Sequence, residues 1–366
     1  MRFPEFSGEW ERCTLGDFGN VITGNTPPTA EDENYDNGTH LWASPADLGA
    51  TKYIESTQTL LSDRGFEKSR SFPANSILVT CIGSTIGKMG MSKTEMASNQ
   101  QINTIVPDQH DANFVYYAVQ SRFPRYLSSI AVQAVPILSK SSFEKLTNYT
   151  TARKEQIKIG NLLSLIDERI DTQKKIIEKY ESLIRGLYHS CFCNSENTII
   201  KLRDVVAIVK GKQVNGENLL ENGQYYMMNG GIEPSGYLNE YNTPADTISI
   251  SEGGNSCGYV QYNKEPFWSG GHCYSLMPKS DNICYRFLYH FLKYKENDIM
   301  ALRIGSGLPN VQKKDLERFE VQLPSLERQR EVTTLLDAIS AKLDLERQLH
   351  HVWQSQKQYL LGSLFI

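Results

Sequence analysis

Three places along the chain combine residue types that could do chemistry. Gly83-Ser84-Thr85-Ile86-Gly87-Lys88 has the outline of a phosphate-binding loop, where backbone N–H groups cradle phosphate oxygens and a lysine reaches past them. It holds three residues between its glycines where that loop needs four, and Met89 stands where Ser or Thr would hold magnesium. A turn offering N–H groups and Lys88 to a nucleic-acid phosphate fits better, and a plain strand-connecting turn is the alternative. His189-x-Cys191-x-Cys193 lacks zinc-knuckle spacing and a partner pair. His272 and Cys273, with Cys257, are better explained by a packed core than by a metal. Paired carboxylates, a nucleophile elbow and a glycine-rich cofactor fingerprint do not appear. The expectation is a chain with no catalytic residue, no metal and no cofactor of its own.

The elements that would position such residues come in two copies. Leu15-x-Asp17 with Gly24 recurs as Leu202-x-Asp204 with Gly211, an offset of 187. Gly83-x-x-x-Gly87 recurs as Gly254-x-x-x-Gly258 at 171, with Ile77 on Ile248, Val79 on Ile250, Ser98 on Ser269 and Pro107 on Pro278. Pro136, Lys140 and Glu144 fall on Pro309, Lys313 and Glu317 at 173, an offset that continues from Gln156 to Gln329 and from Asp171 to Asp344. Order and spacing held over this length mean a tandem duplication of roughly 180 residues. The twin of Gly87-Lys88 is Gly258-Tyr259, without the lysine, which argues further against nucleotide binding.

Each copy ends in a long helical pattern. Ile159, Leu163, Ile166, Ile170, Gln173 and Ile177 step alternately by four and three, as do Val332, Leu336, Ile339, Leu343 and Glu346, with Trp353 one heptad further on. These positions are the expected packing seam of two helices. Gln173 and Glu346 share one seam position, as either register-fixing polar groups or a solvated gap. A helix of about 35 residues spans roughly 50 Å, so these elements read as spacers. The Arg185-Gly186-Leu187 and Leu361-Gly362-Ser363 closes match only at 176, a stammer-like slip. Segments 1–150 and 194–325 read as strand-rich, loop-rich mixed α/β domains, with 151–193 and 326–366 as the two helices. Ser76–Thr80 and Thr247–Ser251 are the clearest strands, and Asn113–Gln120 and Tyr285–Lys293 the domain helices. From the first glycine to the main strand the copies differ most: 77 − 24 is 53 residues, 248 − 211 only 37.

Composition bounds the class. With 366 residues and 40% hydrophobic content, the chain can build two cores. It lacks a membrane-length apolar run and a signal-peptide pattern, and seven scattered cysteines suit reduced thiols, so a cytoplasmic protein is expected. The net charge of −4 disfavours a free-standing nucleic-acid binder, and only residues 151–195 are basic, with 8 Lys+Arg against 6 Asp+Glu. A DNA grip would need local cations and partner subunits.

In its order of motifs the chain resembles the specificity subunits of Type I restriction–modification systems. The features that carry this are Trp10 with Leu15-Gly16-Asp17, Gly24-x-Thr26-Pro27, the Gly83–Lys88 turn, Asn99-Gln100-Gln101-Ile102-Asn103, Pro136-x-Leu138-Ser139-Lys140, and the Glu155-Gln156 helix entry leading to Leu162–Ile166. The second copy departs from the pattern at Gly270-Gly271-His272. The resemblance spans essentially the whole chain. It implies an α+β fold: two target-recognition domains separated by two long antiparallel coiled-coil helices with pseudo-two-fold symmetry. It also implies double-stranded DNA with a bipartite site as ligand, two modification (methyltransferase) subunits as partners, and S-adenosylmethionine on those partners. The Asn-Pro-Pro-aromatic tetrapeptide of an adenine methyltransferase is absent here, and Thr26-Pro27-Pro28 is no substitute.

The residues leave open a restriction subunit beside the methyltransferase, a methyltransferase-only complex, and a protein-binding coiled-coil scaffold. Independently of the resemblance, two like modules on a spacer suit two half-sites about one DNA turn, roughly 34 Å, apart. The candidates for base contact are Asn25, Thr26, Trp42, Ser44 and Asp47 in the first copy, and Gln213, Asn215, Asn229 and His272 in the second. Lys88, Lys93, Lys140, Lys210, Lys212, Lys313 and Lys314 are the candidates for phosphate.

Overall fold

The computed structural model describes residues 2–130, 137–192, 198–280, 282–305 and 307–365. Pro136 of the repeat and Cys193 of the His-x-Cys-x-Cys run lie outside them. The chain divides into two compact units, Met1–Lys175 with Arg347–Ile366, and Ile176–Glu346.

The repeated motifs turn out to be the joints of one topology built twice. In the first unit Glu11–Thr14 pairs antiparallel with Thr147–Thr150, and in the second Thr198–Lys201 pairs with Glu320–Leu323. Each first strand turns at the Leu-x-Asp motif. The backbone N–H groups of Thr14 and Lys201 donate to Asp17 (2.8 Å) and Asp204 (3.2 Å), capping a single helical turn whose leucine is buried. The Thr14 N–H and hydroxyl hold the Asp17 carboxyl below its usual range.

Next comes the central antiparallel sheet, in the order Gly19–Thr23, Ile102–Pro107, Ile77–Thr80, Met89–Ser92 in the first unit. The second repeats it as Val206–Lys210, Cys273–Pro278, Thr247–Ser251, Val260–Asn263. Ile77, Val79, Ile248 and Ile250 are fully buried, and Leu78 and Ser249 between them are buried too, so these strands are covered on both faces. The first unit adds an edge strand, Tyr53–Ile54, pairing parallel to Met89–Ser92, from the stretch that is longer in that copy.

A second, smaller sheet in each unit contains a parallel pair. His40–Ala43 lies beside Met96–Ser98, and Tyr225–Met228 beside Trp268–Ser269. The domain helix runs Ala112–Ile130 in the first unit, longer than the sequence pattern indicated. In the second it breaks at Lys295 into Tyr285–Tyr294 and Glu296–Ala301.

The long helices are Arg153–Phe192 and Leu326–Leu364. Their entries are tied down identically. Gln156 accepts from the Asp111 N–H and donates to the Thr151 carbonyl, and Gln329 accepts from the Cys284 N–H and donates to the Pro324 carbonyl. In the first unit Ile159, Leu163 and Ile166, at the head of the first helix, share a core with Leu360, Leu361 and Leu364 at the tail of the second. In the second unit Phe192, at the tail of the first helix, shares a core with Val332 and Leu336 at the head of the second. The helices are therefore antiparallel. Gln173 and Glu346 are 5% and 8% exposed, so neither is a solvated gap, and Leu343 is buried too. Ile170, Ile177, Ile339 and Trp353 are half-buried.

Candidate nucleic-acid interface

Where the parallel pair of each unit meets its central sheet, the loops after the first glycine, after the first strand of the pair and before the last strand come together. The glycine itself is dictated by sterics. A Cβ on Gly24 would stand 2.2 Å from the Ser98 carbonyl, and one on Gly211 the same distance from the Gly270 carbonyl. The N–H of the following residue then bonds across the junction: Asn25 to Ser98 (2.9 Å) and Lys212 to Ser269 (2.8 Å). A tryptophan locks the carbonyl of that same residue. Trp42 donates its indole N–H to Asn25, and Trp268 to Lys212, both at 3.0 Å.

In the first unit this edge is mostly amide and hydroxyl, with one cation, Arg70, whose guanidinium donates to the Thr23 carbonyl at 3.1 Å. Thr26 Oγ1 donates to Gln100 at 2.6 Å, the Asn99 and Gln101 side chains bond each other at 3.1 Å, and Gln100 is exposed. Several proposed base contacts instead build the loop. Asn25 bonds both the Lys68 carbonyl and the Arg70 N–H, and Trp42 is buried. Ser44 and Asp47 form a capping pair, with Asp47 also accepting from the Gln58 N–H. Their polar atoms are occupied, so this geometry gives them structural roles and leaves Thr26 with Gln100 facing outward.

In the second unit the corresponding edge is charged. Glu252 takes Lys210 at 2.7 Å and the Tyr274 hydroxyl at 2.9 Å on one carboxylate oxygen, and the other lies 3.8 Å from His272 Nδ1. Burial, then the bond to Glu252, pushes the Tyr274 hydroxyl well up. His272 is exposed, whereas Cys257 and Cys273 are buried, so the three do not form one core cluster. Asn229 accepts from the His272 N–H (3.1 Å), and Gln213 stands over Gly271. Gln213 and Asn215 are exposed.

The Gly83–Lys88 turn connects two strands. The N–H groups of Ile86, Gly87 and Lys88 bond the carbonyls of Gly83, Thr80 and Thr85, and those of Cys257, Gly258 and Tyr259 repeat the pattern. The three N–H groups in each copy are thus taken up within the turn itself. Gly83, Gly87, Gly254 and Gly258 all have φ between +82° and +95°, which explains the conserved spacing within the chain.

Among the phosphate candidates, Lys93 pairs with Glu55, Lys140 with Glu144, Lys210 with Glu252 and Lys313 with Glu317. Lys88, Lys212 and Lys314 are exposed and carry no side-chain ion pair among the described residues. Sequence reasoning missed Gln100, Gln101 and Glu252. A repeat-aligned comparison would have flagged Glu252, which falls on Cys81 in the first copy.

With this geometry in hand, comparison with known proteins is decisive. The family described as the Type I restriction modification DNA specificity domain matches residues 7–182 and again 194–352. The chain belongs to that family.

Among its relatives is the specificity subunit of the Type I restriction enzyme MjaVIII from Methanocaldococcus jannaschii, 24% identical over all of this chain and 93% of that one. Another is the HindI specificity subunit from Haemophilus influenzae, 31% identical over 57% of this chain and 41% of that one. The fold matches the crystal structure of a Type I restriction–modification S subunit from Mycoplasma genitalium, with a TM-score of 0.76 at 24% identity. That match covers 98% of this chain and 96% of the other. As a member of this family, the chain is a DNA-sequence-recognition subunit of a Type I system. No helix among the described residues is long and apolar enough to cross a membrane.

Proposed function

We propose that each unit reads one half of a split DNA target through the loop edge described above, and that the paired long helices carry docked methyltransferase subunits. The observation that carries this is the duplicated clasp at Gly24 and Gly211, one joint presenting different side chains: Thr26, Gln100 and Arg70 in one copy, and His272 with the Lys210–Glu252 pair in the other. Two like frames with unlike surfaces are what two different half-sites require.

In the first unit Thr26, Gln100 and Gln101 are the proposed base-edge groups, and Lys88 the phosphate contact. In the second they are Gln213, Asn215 and His272, with Lys212 and Lys314 on phosphates. The relatives named above are subunits of restriction enzymes, which supports assembly with modification partners. Two such partners, one per unit, follow from the duplication. Methyl transfer from S-adenosylmethionine belongs to those partners, and this chain supplies position and specificity.

Single-molecule methylation sequencing tests the reading in cells that carry the chain with its methyltransferase. The expected result is an adenine-methylated split motif that disappears when this chain is deleted. Methylation that persists without the chain would end the proposal. Inserting one heptad in both long helices is expected to lengthen the gap between half-sites, and an unchanged gap would show that the helices do not set it.

A further inference from the structure

We propose that Arg70 reads a guanine in the first unit's half of the target, through the donor fork formed by its Nε and Nη2. This rests on the proposed function and names a recognition residue within it. The starting observation is a cation held at both ends by the clasp. The Arg70 backbone N–H donates to Asn25 Oδ1 at 2.7 Å, and its Nη1 donates to the Thr23 carbonyl at 3.1 Å. Thr23 and Asn25 are the two neighbours of Gly24, so Arg70 is tied to both sides of the glycine that fixes the junction.

The anchors are themselves held. Asn25 commits its N–H to the Ser98 carbonyl, its carbonyl to the Trp42 indole and its side-chain amide N–H to the Lys68 carbonyl. Ser71 and Phe72, directly after Arg70, are paired with Ala97 and Met96. The other cations of residues 25–76 are paired or buried: Arg64 with Glu33, Lys68 with Glu31, and Lys52 inside the fold. Arg70 is exposed and carries no carboxylate partner among the described residues.

Of the five N–H donors of the guanidinium, the bond to Thr23 takes one. Nη1 lies on the side away from Nε–H, so the fork of Nε and Nη2 is left whole. A planar pair of donors without an acceptor matches the major-groove edge of guanine, where N7 and O6 are two acceptors side by side. Adenine sets an amino donor beside its N7, which opposes the same fork. The neighbours of Arg70 at this edge, Thr26 and Gln100, are neutral hydrogen-bonding groups of the kind that read bases.

The second unit is built differently. The pairing of Phe72 with Met96 recurs as a bridge between Thr243 and Phe267, an offset of 171 for both residues, which sets Tyr241 in the place of Arg70. Tyr241 is exposed and offers a single hydroxyl, with its ring against Tyr225. The device should therefore act on one half-site alone.

The test is methylation-motif sequencing of the wild type, Arg70→Ala and Arg70→Lys, each in the assembled complex, with thermal melting of each purified variant. In Arg70→Ala, one position that is guanine in the wild-type motif should become degenerate in one half only, discrimination there falling by about tenfold or more. Arg70→Lys should relax the same position, because an ammonium keeps the charge but has no fork. Three outcomes would overturn the proposal. They are an unchanged motif in Arg70→Ala, relaxation at a position that is not guanine, and a uniform fall in methylation with the motif intact that lysine restores, which is the signature of a phosphate contact. Should the alanine variant melt low, the lysine variant decides by the same criteria. Methylation that persists when the whole chain is deleted would overturn the proposed function itself, which the Arg70 outcomes do not.

Discussion

The two units fix their long helices with a cation at the same place, but the cation comes from different parts of the fold. In the first, Lys52 leaves the extra edge-strand segment and donates to Ser164 (2.7 Å), Asn113 (2.6 Å) and Tyr117 (3.2 Å). Beside it Lys357 pairs with Asp167, which also accepts from Tyr117. In the second, Arg286 and His290, both on the domain helix, reach Asp337. Ser164 plus 173 is 337, so these are equivalent helix positions. The duplication preserved the requirement for a polar tie between domain and helix, and each copy found its own donor. The longer stretch in the first copy is therefore partly structural: it supplies Lys52.

The largest effect that could break this comparison is an exchange of residues 25–76 for the corresponding stretch of a relative. Such a chain should recognise a new first half-site with the second intact, read by methylation sequencing, provided the incoming segment keeps a cation for Ser164. A change in both halves would mean that the units do not read independently. Core truncation comes next. Leu336→Ala should destabilise the second unit by about 3 kcal/mol in denaturant unfolding, with the first unit's transition unmoved.

Asp337→Asn should cost about 2 kcal/mol, because in a partly buried site Arg286 loses its counter-charge and one of the two acceptor oxygens becomes a donor. Ser164→Ala, its twin, should cost under about 1 kcal/mol, since Lys52 keeps Asn113. Equal losses would mean that the two ties are not alternatives to one another.

A subtler test uses pH. Burial lowers the Lys52 ammonium from its ordinary 10.5 to about 8, against the pull of Asp167. Between those values the unfolded chain binds a proton that the folded one does not, so stability should rise with pH across that window. Lys52→Met should remove this rise, seen as a melting-temperature difference between wild type and variant that changes from pH 8 to 10. The smallest effect is at the surface. Lys88→Ala should weaken DNA binding by the complex for all sequences alike and reduce the salt slope by about one.

Much of this frame was legible in the sequence because its joints leave few chemical choices. Gly24 and Gly211 face backbone carbonyls that exclude any side chain, Asp17 and Asp204 cap the same turn, and Gln156 and Gln329 make the same pair of bonds. The parallel pairs were not legible, since strands of two to four residues have little periodicity and their partners lie some 40 to 55 residues away. Trp42 shows how residue type misleads. An aromatic donor in a variable loop looks like a base contact, yet its N–H fastens the clasp. Its functional twin Trp268 falls on Ala97 in the repeat alignment, so the indole comes from the opposite strand of the pair. Repeat alignment sets Glu252 against Cys81, but its partners were not legible, since Lys210, His272 and Tyr274 reach it from 42, 20 and 22 residues away.

The parallel clasp also sets how readily such a protein can change what it recognises. Because the pair closes at Ser98 and Ser269 whatever lies between, the intervening chain is a bracketed insert, not a link under tension. The clasp closes 57 residues between Lys212 and Ser269 and 73 between Asn25 and Ser98, a difference that costs only roughly 0.2 kcal/mol in closure entropy. New lettering can thus be spliced into the bracket at almost no thermodynamic penalty, and a lineage can rewrite its half-sites without rebuilding the fold that displays them.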